Sequence, residues 1–316
     1  MQDRRIEWTG ERCVPWAQDL QVVYEHYHRY ALAARFSVGA RVLDLACGEG
    51  YGPALLAARA REVVGVDIDP LTVEHAAAHY RGGNLRFTVG SMVDPELLAD
   101  AEPFEVITCF EALEHVAEQD ALLAVVARLL APGGLFLTST PDVEVYSHEH
   151  GNDNPFHVRE LTEPQFQELL GGTLRHVAIL RQNVTVGSLI TGAAAPGSGI
   201  VESLHKESES EWRVTGGSPH TYLLGIASDA PLPALPELSV LVDPDLTLVR
   251  DAHRALAREQ HEAAELRAEL AEQQRQATAD RDAAERRCDQ LASEAHRLRG
   301  ELAAAQRQVQ RAESLA

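Results

Sequence analysis

Short apolar runs alternate with helical patterns through the first 228 residues, and this alternation constrains the fold more than any other feature of the chain. Each run has the length of a buried strand, and the segments between them have the composition and period of helices. Such alternation is typical of βαβ units, which build a parallel sheet with helices on both faces. The sequence therefore predicts an α/β fold with strands at residues 41–45, 62–67, 85–89, 104–110 and 134–140.

Two further apolar runs, at residues 175–182 and 221–228, predict late strands. Too little chain follows the second run for another helical crossover, so the two strands are expected to form an antiparallel hairpin at one edge of the sheet. The result is a Rossmann-like sheet of seven strands. The 38 residues between these late strands predict a mobile insertion.

The composition changes after residue 228, where four spaced prolines predict an extended linker over residues 229–245. Residues 246–316 contain no proline, and apolar residues recur there at every seventh position, which predicts a coiled coil and a homo-oligomer. A single solvated helix remains the alternative, because many of the intervening core positions are polar. The expected domains are thus a lid at 1–40, a catalytic domain at 41–228, the linker and the coiled coil. The repeating positions are Val249, Leu256, Ala263, Leu270, Ala277, Ala284, Leu291, Leu298, Ala305 and Ala312.

The charge of the chain argues against nucleic acid as a partner. The formal net charge is −20, and the first 245 residues hold 35 acidic against 16 basic side chains. Phosphate binding needs a cationic surface, which this composition does not supply. The four cysteines form no CxxC pair, no apolar stretch is long enough for a membrane span, and no signal sequence is visible, so we expect a cytoplasmic protein.

A glycine-rich turn follows the first predicted strand directly, in the sequence ACGEGYG. Glycine allows the backbone to bend sharply there and to approach a ligand closely. About twenty residues later the second strand ends in Asp67, where a carboxylate can accept hydrogen bonds from both hydroxyls of a ribose. The order of strand, glycines, helix and terminal acid predicts a site for a cofactor that contains a nucleoside.

The segments VLDLACGEGYG, VVGVDIDP, FEVITCFEALEHV and LLAPGGLFLTSTPD together resemble the class I S-adenosylmethionine-dependent methyltransferases over about 190 residues. Two positions depart from the usual family pattern: Ala46 stands where glycine is common, and Ser91 where an acid is common. The resemblance implies S-adenosyl-L-methionine as cofactor. It implies contacts to the methionine moiety, the ribose and the adenine from Asp44, Ala46, Gly48, Gly50, Asp67, Ile68, Ser91, Met92 and Phe110.

The segments WTGERCVPW and YEHYHRYALAA, which precede the first strand, resemble the N-terminal lid of methyltransferases associated with sugar and cell-surface polysaccharide pathways. This resemblance implies that Arg29 or Tyr30 contacts the carboxylate of the cofactor. The alternative is a helix that merely caps the sheet.

Three potential metal ligands or proton acceptors, Glu111, Glu114 and His115, fall within five residues at the end of the fourth predicted strand. Ligands of α/β sheets bind at this edge. His157 is expected in a loop over the same edge, and the four side chains could hold Mg²⁺ or Mn²⁺ with positions left for the hydroxyls of a substrate. The ExxEH motif and the later HxxExTxxQF motif, which starts at His157, resemble the plant small-RNA 2′-O-methyltransferases. Without a metal, His115, Glu114 and His157 are the candidate catalytic residues, with histidine as general base.

Methyl transfer from a sulfonium is an in-line displacement, so the protein mainly aligns and desolvates the reactants, and an aliphatic hydroxyl must in addition lose a proton. The acidic, histidine-rich site therefore favours O-methylation of a neutral sugar, glycan or glycosylated metabolite. Two alternatives remain open. One is RNA ribose 2′-O-methylation, which the motifs favour and the charge opposes; the other is a non-catalytic scaffold assembled through the coiled coil.

Overall fold

A computed structural model describes Cys13 and residues 20–149, 151, 154–185, 203–206, 212–215, 220–243 and 247–313. The contacts divide the chain into two compact units, Met1–Asp243 and Pro244–Ala316. The first unit contains the sheet and the candidate functional residues, and the second contains one long helix.

The first unit is built on a seven-stranded mixed sheet with the strand order β3-β2-β1-β4-β5-β9-β6. Strands β1 to β5 are parallel, and β9 lies antiparallel between β5 and β6. The predicted fold class and the antiparallel pair at one edge are therefore confirmed. The strands are β1 Arg41–Leu45, β2 Glu62–Asp67, β3 Leu85–Val89, β4 Phe104–Phe110, β5 Leu130–Pro141, β6 His176–Gln182 and β9 Tyr222–Ser228.

Helices cover both faces of this sheet and bury a separate apolar cluster on each face. On one face, α1 and α2 pack over a cluster that includes Tyr30, Tyr51 and Leu56. On the other face, α4 and α5 pack over a cluster that includes Leu122 and Phe166. The helices are α1 Leu20–Phe36, α2 Tyr51–Ala57, α3 Pro70–His79, α4 Gln119–Leu129, α5 Glu163–Gly171 and, in the second unit, α6 Thr247–Glu313.

The predicted insertion between the late strands contains a short antiparallel hairpin. Its strands are β7 Ser203–Lys206 and β8 Trp212–Thr215, which pair with each other and not with the main sheet. Most of the remaining insertion lies outside the described residues, so its mobility stays a prediction.

The proline-rich segment lies against the first unit along residues 229–243. Leu232 and Leu235 pack against the apolar cluster beneath α1. Tyr24 donates a hydrogen bond of 2.6 Å to Asp243 Oδ2, and His28 Nε2 lies 2.9 Å from Ser239 Oγ. These contacts attach most of the predicted linker to the sheet and helices of the first unit.

The second unit is a single helix of 67 residues. Leu270, Leu291 and Leu298 at the repeating heptad positions are exposed, and ion pairs such as Arg297–Glu301 link successive turns. None of the described helices is long and apolar enough to cross a membrane.

Candidate active site

The turn between β1 and α2 is folded back onto the end of β2. Ala46 and Gly48 adopt left-handed backbone conformations with φ of 53° and 55°, and Gly50 has φ of 102°. The Cys47 amide donates a hydrogen bond of 2.9 Å to the carbonyl of Val66. The turn therefore lies at the carboxyl edge of the sheet, where the sequence predicts the cofactor.

Two of the glycines in this turn are required by protein packing. A Cβ atom at Gly50 would lie 2.7 Å from the Cβ atom of Ala76, and one at Gly52 would lie 2.1 Å from the ring of Tyr30. From the sequence, this glycine pattern predicts the close approach of a ligand. The structure shows that neighbouring side chains also fill the space that a larger residue would need.

Asp67 at the end of β2 is almost buried, with 8% of its surface exposed. Its Oδ2 accepts a hydrogen bond of 2.8 Å from the Gly48 amide, and its Oδ1 accepts one of 3.0 Å from the Asp69 amide. The next residue, Ile68, is 71% exposed. A fixed carboxylate beside an uncovered apolar side chain is the pairing that a ribose and an adenine ring require.

The residues predicted to contact the adenine follow β3 and are tied to the same place. The Gly90 amide donates to the carbonyl of Asp67 at 3.0 Å. Ser91 then begins a turn in which its carbonyl accepts from Asp94 at 3.1 Å, and Met92 packs against the apolar cluster below. The structure thus places Ser91 and Met92, which follow Gly90 directly, near the strand end that carries Asp67, the residue predicted to accept the ribose.

Asp44 is fully buried beneath the turn. It accepts hydrogen bonds from Tyr30 Oη at 2.9 Å and from Thr108 Oγ1 at 2.5 Å. Burial is the main cause that raises the pKa of Asp44 to about 7; the hydrogen bonds from Thr108 and Tyr30 act in the opposite direction, and the charge of Asp67 adds a small increase. The ring of Tyr30 also packs edge-on against Phe110, with centroids 5.1 Å apart, so α1 is joined to the predicted cofactor residues.

Arg29 on α1 is a buried cation whose hydrogen-bonding capacity is incompletely used. Its Nε donates to Gln182 Oε1 at 2.7 Å, and its guanidinium lies 4.6 Å from the centre of the Tyr222 ring. One terminal nitrogen lies 3.2 Å from Glu111 Oε1, an ion pair by distance. However, neither terminal nitrogen makes a well-aligned hydrogen bond within the described part of the chain. Arg29 can therefore accept a further anionic partner.

The structure brings together three of the four predicted metal ligands. One ligand atom from each of Glu114, His115 and His157 lies within 4.8 Å of the others. Glu114 and His115 belong to a 3₁₀ turn after β4. The loop that carries His157 is fixed to this turn because the amides of Val158 and Arg159 donate to the carbonyl of Glu114 at 2.8 and 3.0 Å.

One nitrogen of each imidazole lies beside a hydrogen-bond acceptor, and this contact determines which ring nitrogen carries the proton. His115 Nδ1 lies 3.0 Å from the carbonyl oxygen of Phe156, and His157 Nδ1 lies 2.5 Å from Glu160 Oε1. Both partners are acceptors, so each Nδ1 is the protonated nitrogen and each Nε2 carries a lone pair. Asn154 Nδ2 donates to His157 Nε2 at 2.9 Å, which agrees with this assignment.

Glu114 is the buried acid of the cluster. Its Oε2 has no hydrogen-bond partner among the described residues. Burial, and then repulsion from Glu111, raise the pKa of Glu114 well above its ordinary value. A buried carboxyl oxygen without a partner is costly, so it favours a ligand at this position.

Glu111, the fourth predicted ligand, is held apart from this cluster. Its Oε1 accepts a hydrogen bond of 2.7 Å from Ser139 Oγ in addition to facing Arg29. Its backbone is left-handed, with φ of 49°, an uncommon conformation for glutamate and one that is concentrated at functional sites.

Some residues at this edge were not identified from the sequence, namely Ser139, Gln182, Tyr222 and Glu160 as a partner of His157. All of them except Glu160 lie on β5, β6 or β9, far in sequence from the residues that they contact. No local motif marks Ser139, Gln182 or Tyr222.

A second group of metal-ligand type is formed by Asp142, Glu163 and His220. Its members already have partners, since His220 Nε2 lies 3.0 Å from Asp142 and Arg181 donates to Glu163 at 2.8 Å.

Comparison with known proteins gives consistent matches. Residues 16–170 match the family described as "Methyltransferase domain". A protein of Mycolicibacterium smegmatis named as an S-adenosylmethionine-dependent methyltransferase is 39% identical over 173 residues, which cover 51% of this chain and 62% of that protein. The ubiquinone biosynthesis O-methyltransferase of Psychrobacter arcticus is 38% identical over 105 residues, or 32% of this chain and 41% of the enzyme.

Among solved structures, the methyltransferase domain of bacterial CtHen1-C aligns with a TM-score of 0.46 and 20% identity, covering 66% of this chain and 100% of that domain. The chain spans less than two thirds of the length of either curated relative.

Proposed function

We propose that the protein is a class I S-adenosylmethionine-dependent methyltransferase, in keeping with the match of residues 16–170 to the methyltransferase domain family, and that it methylates a hydroxyl of a sugar, glycan or glycosylated metabolite. The observation that carries the proposal is the group formed by Glu114, His115 and His157 at the carboxyl edge of the sheet, next to the cofactor residues. Its two lone-pair nitrogens and one unpartnered carboxyl oxygen suit the removal of a proton from a hydroxyl.

The carboxyl edge fits S-adenosyl-L-methionine, which supplies an electrophilic methyl group on a sulfonium. Asp67 would accept the ribose hydroxyls, and exposed Ile68 would cover one face of the adenine. The terminal nitrogens of Arg29, which make no well-aligned hydrogen bond within the described residues, would hold the cofactor's carboxylate. Tyr30 is less suited to this task, because its hydroxyl is already bonded to Asp44.

The acceptor cluster also fits a divalent cation, which would lower the pKa of a bound hydroxyl. Histidines that bind metals donate the other ring N–H to a carbonyl or a carboxylate, as His115 and His157 do here. Together with Glu114 they would hold Mg²⁺ or Mn²⁺. Glu111 could join them as a fourth ligand after leaving Arg29.

The chain's own groups supply a route without a cation. A hydroxyl placed at Nε2 of His115 or His157 could transfer its proton to that nitrogen as the methyl group arrives. His157 would then need to exchange the Asn154 amide for the hydroxyl of the acceptor.

RNA ribose 2′-O-methylation is the second candidate, because the residues of the HxxExT motif are engaged as a unit. His157 pairs with Glu160, and Thr162 forms a capping box with Gln165 at the start of α5. The net acidic charge of the first 245 residues favours a neutral acceptor over RNA.

A methyl-transfer screen tests the proposal. Purified protein with isotopically labelled S-adenosylmethionine is offered nucleotide sugars, short glycans and a small RNA duplex, each with Mn²⁺ and with a chelator. We expect transfer to a glycan hydroxyl. Loss of this transfer in chelator, and its recovery with Mn²⁺, would support the cation route. Transfer to RNA alone would replace the sugar proposal, and binding of cofactor without transfer to any acceptor would favour the scaffold alternative.

A further inference from the structure

His157 is paired with the carboxylate of Glu160, a residue that lies outside the group of candidate ligands and proton acceptors. Glu160 Oε1 lies 2.5 Å from His157 Nδ1, and both side chains are largely buried, 8% exposed for His157 and 13% for Glu160. A short contact of this kind, sheltered from water, fixes both the rotation of the imidazole ring and the nitrogen that carries the proton.

Glu160 is itself held in place by a residue from another segment. Ser147 donates a hydrogen bond to Glu160 Oε2. Ser147 belongs to the helical turn Glu144–Glu149 that follows β5, and Tyr146 in the same turn packs its ring 5.5 Å from that of His157. Hydroxyl, carboxylate and imidazole thus form a continuous chain that ends at the candidate acceptor site.

The loop does not depend on this contact for its position. Val158 and Arg159 are bonded through their amides to the carbonyl of Glu114. The carbonyl of Arg159 accepts a hydrogen bond of 2.9 Å from Gln119 Nε2. Asp142 and Leu161 form a β-bridge at the end of the loop. The backbone is therefore anchored on both sides of Glu160, and the pairing with His157 acts on the side chain.

We propose that Glu160 is a positioning residue for the reaction, which holds His157 in the Nδ1–H form and directs Nε2 toward the acceptor, while Ser147 fixes Glu160. This inference rests on the proposed function for its role in the reaction. The acceptor's hydroxyl or a divalent cation needs the Nε2 lone pair, and the competing Nε2–H form would remove that lone pair. The amide of Asn154 that donates to Nε2 shows that this nitrogen carries the lone pair, and the acceptor or the cation would take the place of that amide.

The test measures the state of His157 directly. Long-range ¹H–¹⁵N correlation spectra of protein labelled in histidine are recorded without ligands at increasing pH until the imidazole signals no longer change, so that the neutral rings are compared. His157 is assigned by its loss in His157→Gln. We expect the wild-type ring to be in the Nδ1–H form. In Glu160→Ala the population of the Nε2–H form should rise, even though the Asn154 amide still donates to Nε2, and Glu160→Gln should show a smaller rise because its amide oxygen still accepts a hydrogen bond.

Glu163→Gln is the matched control, since Glu163 is a nearby carboxylate that pairs with Arg181 and not with His157; it should leave the His157 signals unchanged. A second measurement is Mn²⁺ binding, which should weaken about 10- to 100-fold in Glu160→Ala. If that variant does not fold, Glu160→Gln and Ser147→Ala decide the matter through the same spectra.

An unchanged Nδ1–H form in Glu160→Ala, or in both milder variants, would overturn the inference. Failure of the proposed function looks different: the wild-type protein would show the expected His157 signals and transfer no methyl group to a hydroxyl.

Discussion

Asp67 lies at the end of β2, where the sequence predicts a carboxylate for the ribose. Its contribution to cofactor binding can be measured. Removal of its carboxylate in Asp67→Ala should weaken the binding of S-adenosylhomocysteine by about 1 to 3 kcal/mol, or roughly 5- to 150-fold by titration calorimetry. Asp69→Ala is a suitable control, because Asp69 caps α3 through the Leu71 amide. It should lower the unfolding free energy by about 1 kcal/mol and leave the affinity unchanged. Equal affinity of Asp67→Ala and wild type would show that the ribose is bound elsewhere.

Burial of Asp44 makes the stability of the ligand-free protein depend on pH. Its pKa is raised from 3.8 to about 7, so folding favours the protonated form. This residue therefore imposes no cost below pH 4, a growing cost as the pH rises from about 4 to 7, and a constant cost above pH 7. The full cost is roughly 3 to 4 kcal/mol. Asp44→Asn cannot ionise, so its unfolding free energy relative to wild type should increase over this range in urea titrations. A difference that does not vary with pH would contradict the shift.

Sequence motifs identified the candidate site residues that lie at the ends of single strands, because the carboxyl ends of parallel strands meet at one edge. They could not show that Glu111 pairs with Arg29 while Glu114 stays with His115 and His157. That division depends on α1 and on Ser139, which approach from distant parts of the chain.

At the level of whole elements, the first four strands follow the apolar runs without change. Strands β1, β2 and β4 are buried in the sheet, whereas β3 lies at its edge and is partly exposed. The fifth differs, since β5 begins at Leu130 and the APGG segment is part of the strand. A register shift between Phe104 and Val106 allows β4 to pair with this irregular start. Composition could not predict such pairing, because proline and glycine normally argue against a strand.

The packing of α1 against α2 depends on Gly52, and exchange for alanine tests it. A Cβ atom there would overlap the ring of Tyr30. We expect Gly52→Ala to lower the unfolding free energy by about 1 to 3 kcal/mol and to weaken cofactor binding, because Tyr30 also holds Asp44. Gly171 in α5 is the matched control, since a Cβ atom there has no neighbour within 4 Å. Gly171→Ala should be neutral or stabilising by up to about 1 kcal/mol in the same denaturation experiment. Equal effects of the two changes would show that α1 does not pack as described.

For the molecule as a whole, the contacts of the proline-rich segment determine where the chain can be truncated without loss of stability in the first unit. Leu232 and Leu235 pack beneath α1, and Asp243 bonds to Tyr24. A protein that ends at Asp243 should therefore unfold like the corresponding part of the full chain and retain cofactor binding. One that ends at Asp229 should be less stable by about 1 to 3 kcal/mol, because it loses the apolar contacts of two half-buried leucines. Thermal denaturation of the two proteins, with and without S-adenosylhomocysteine, makes the comparison. Equal stability would show that the segment contributes nothing to the fold.

The long helix α6 presents an apolar stripe that a monomer would leave in water. Leu291, Leu298, Leu302 and Val309 are between 51 and 59% exposed on the isolated helix. They occupy the core positions of the last heptads, whereas Gln260 and Gln274 occupy such positions nearer its start. We propose a parallel dimer or trimer joined mainly through the last four heptads, since apolar core positions drive association and polar ones weaken it.

Cys288 provides a direct test of this assembly. It is exposed, it lies at a core position of the heptad repeat, and Cys13, Cys47 and Cys109 are buried. In a parallel assembly in register, the Cys288 side chains of neighbouring helices face each other, so mild oxidation should join two chains. Cys288→Ser should abolish this product and leave the sedimentation coefficient unchanged. Leu291→Asp with Leu298→Asp should reduce the protein to a monomer. A wild-type protein that sediments as a monomer at tens of micromolar would instead show that α6 is a single solvated helix, stabilised by ion pairs along its own surface such as Arg297 with Glu301.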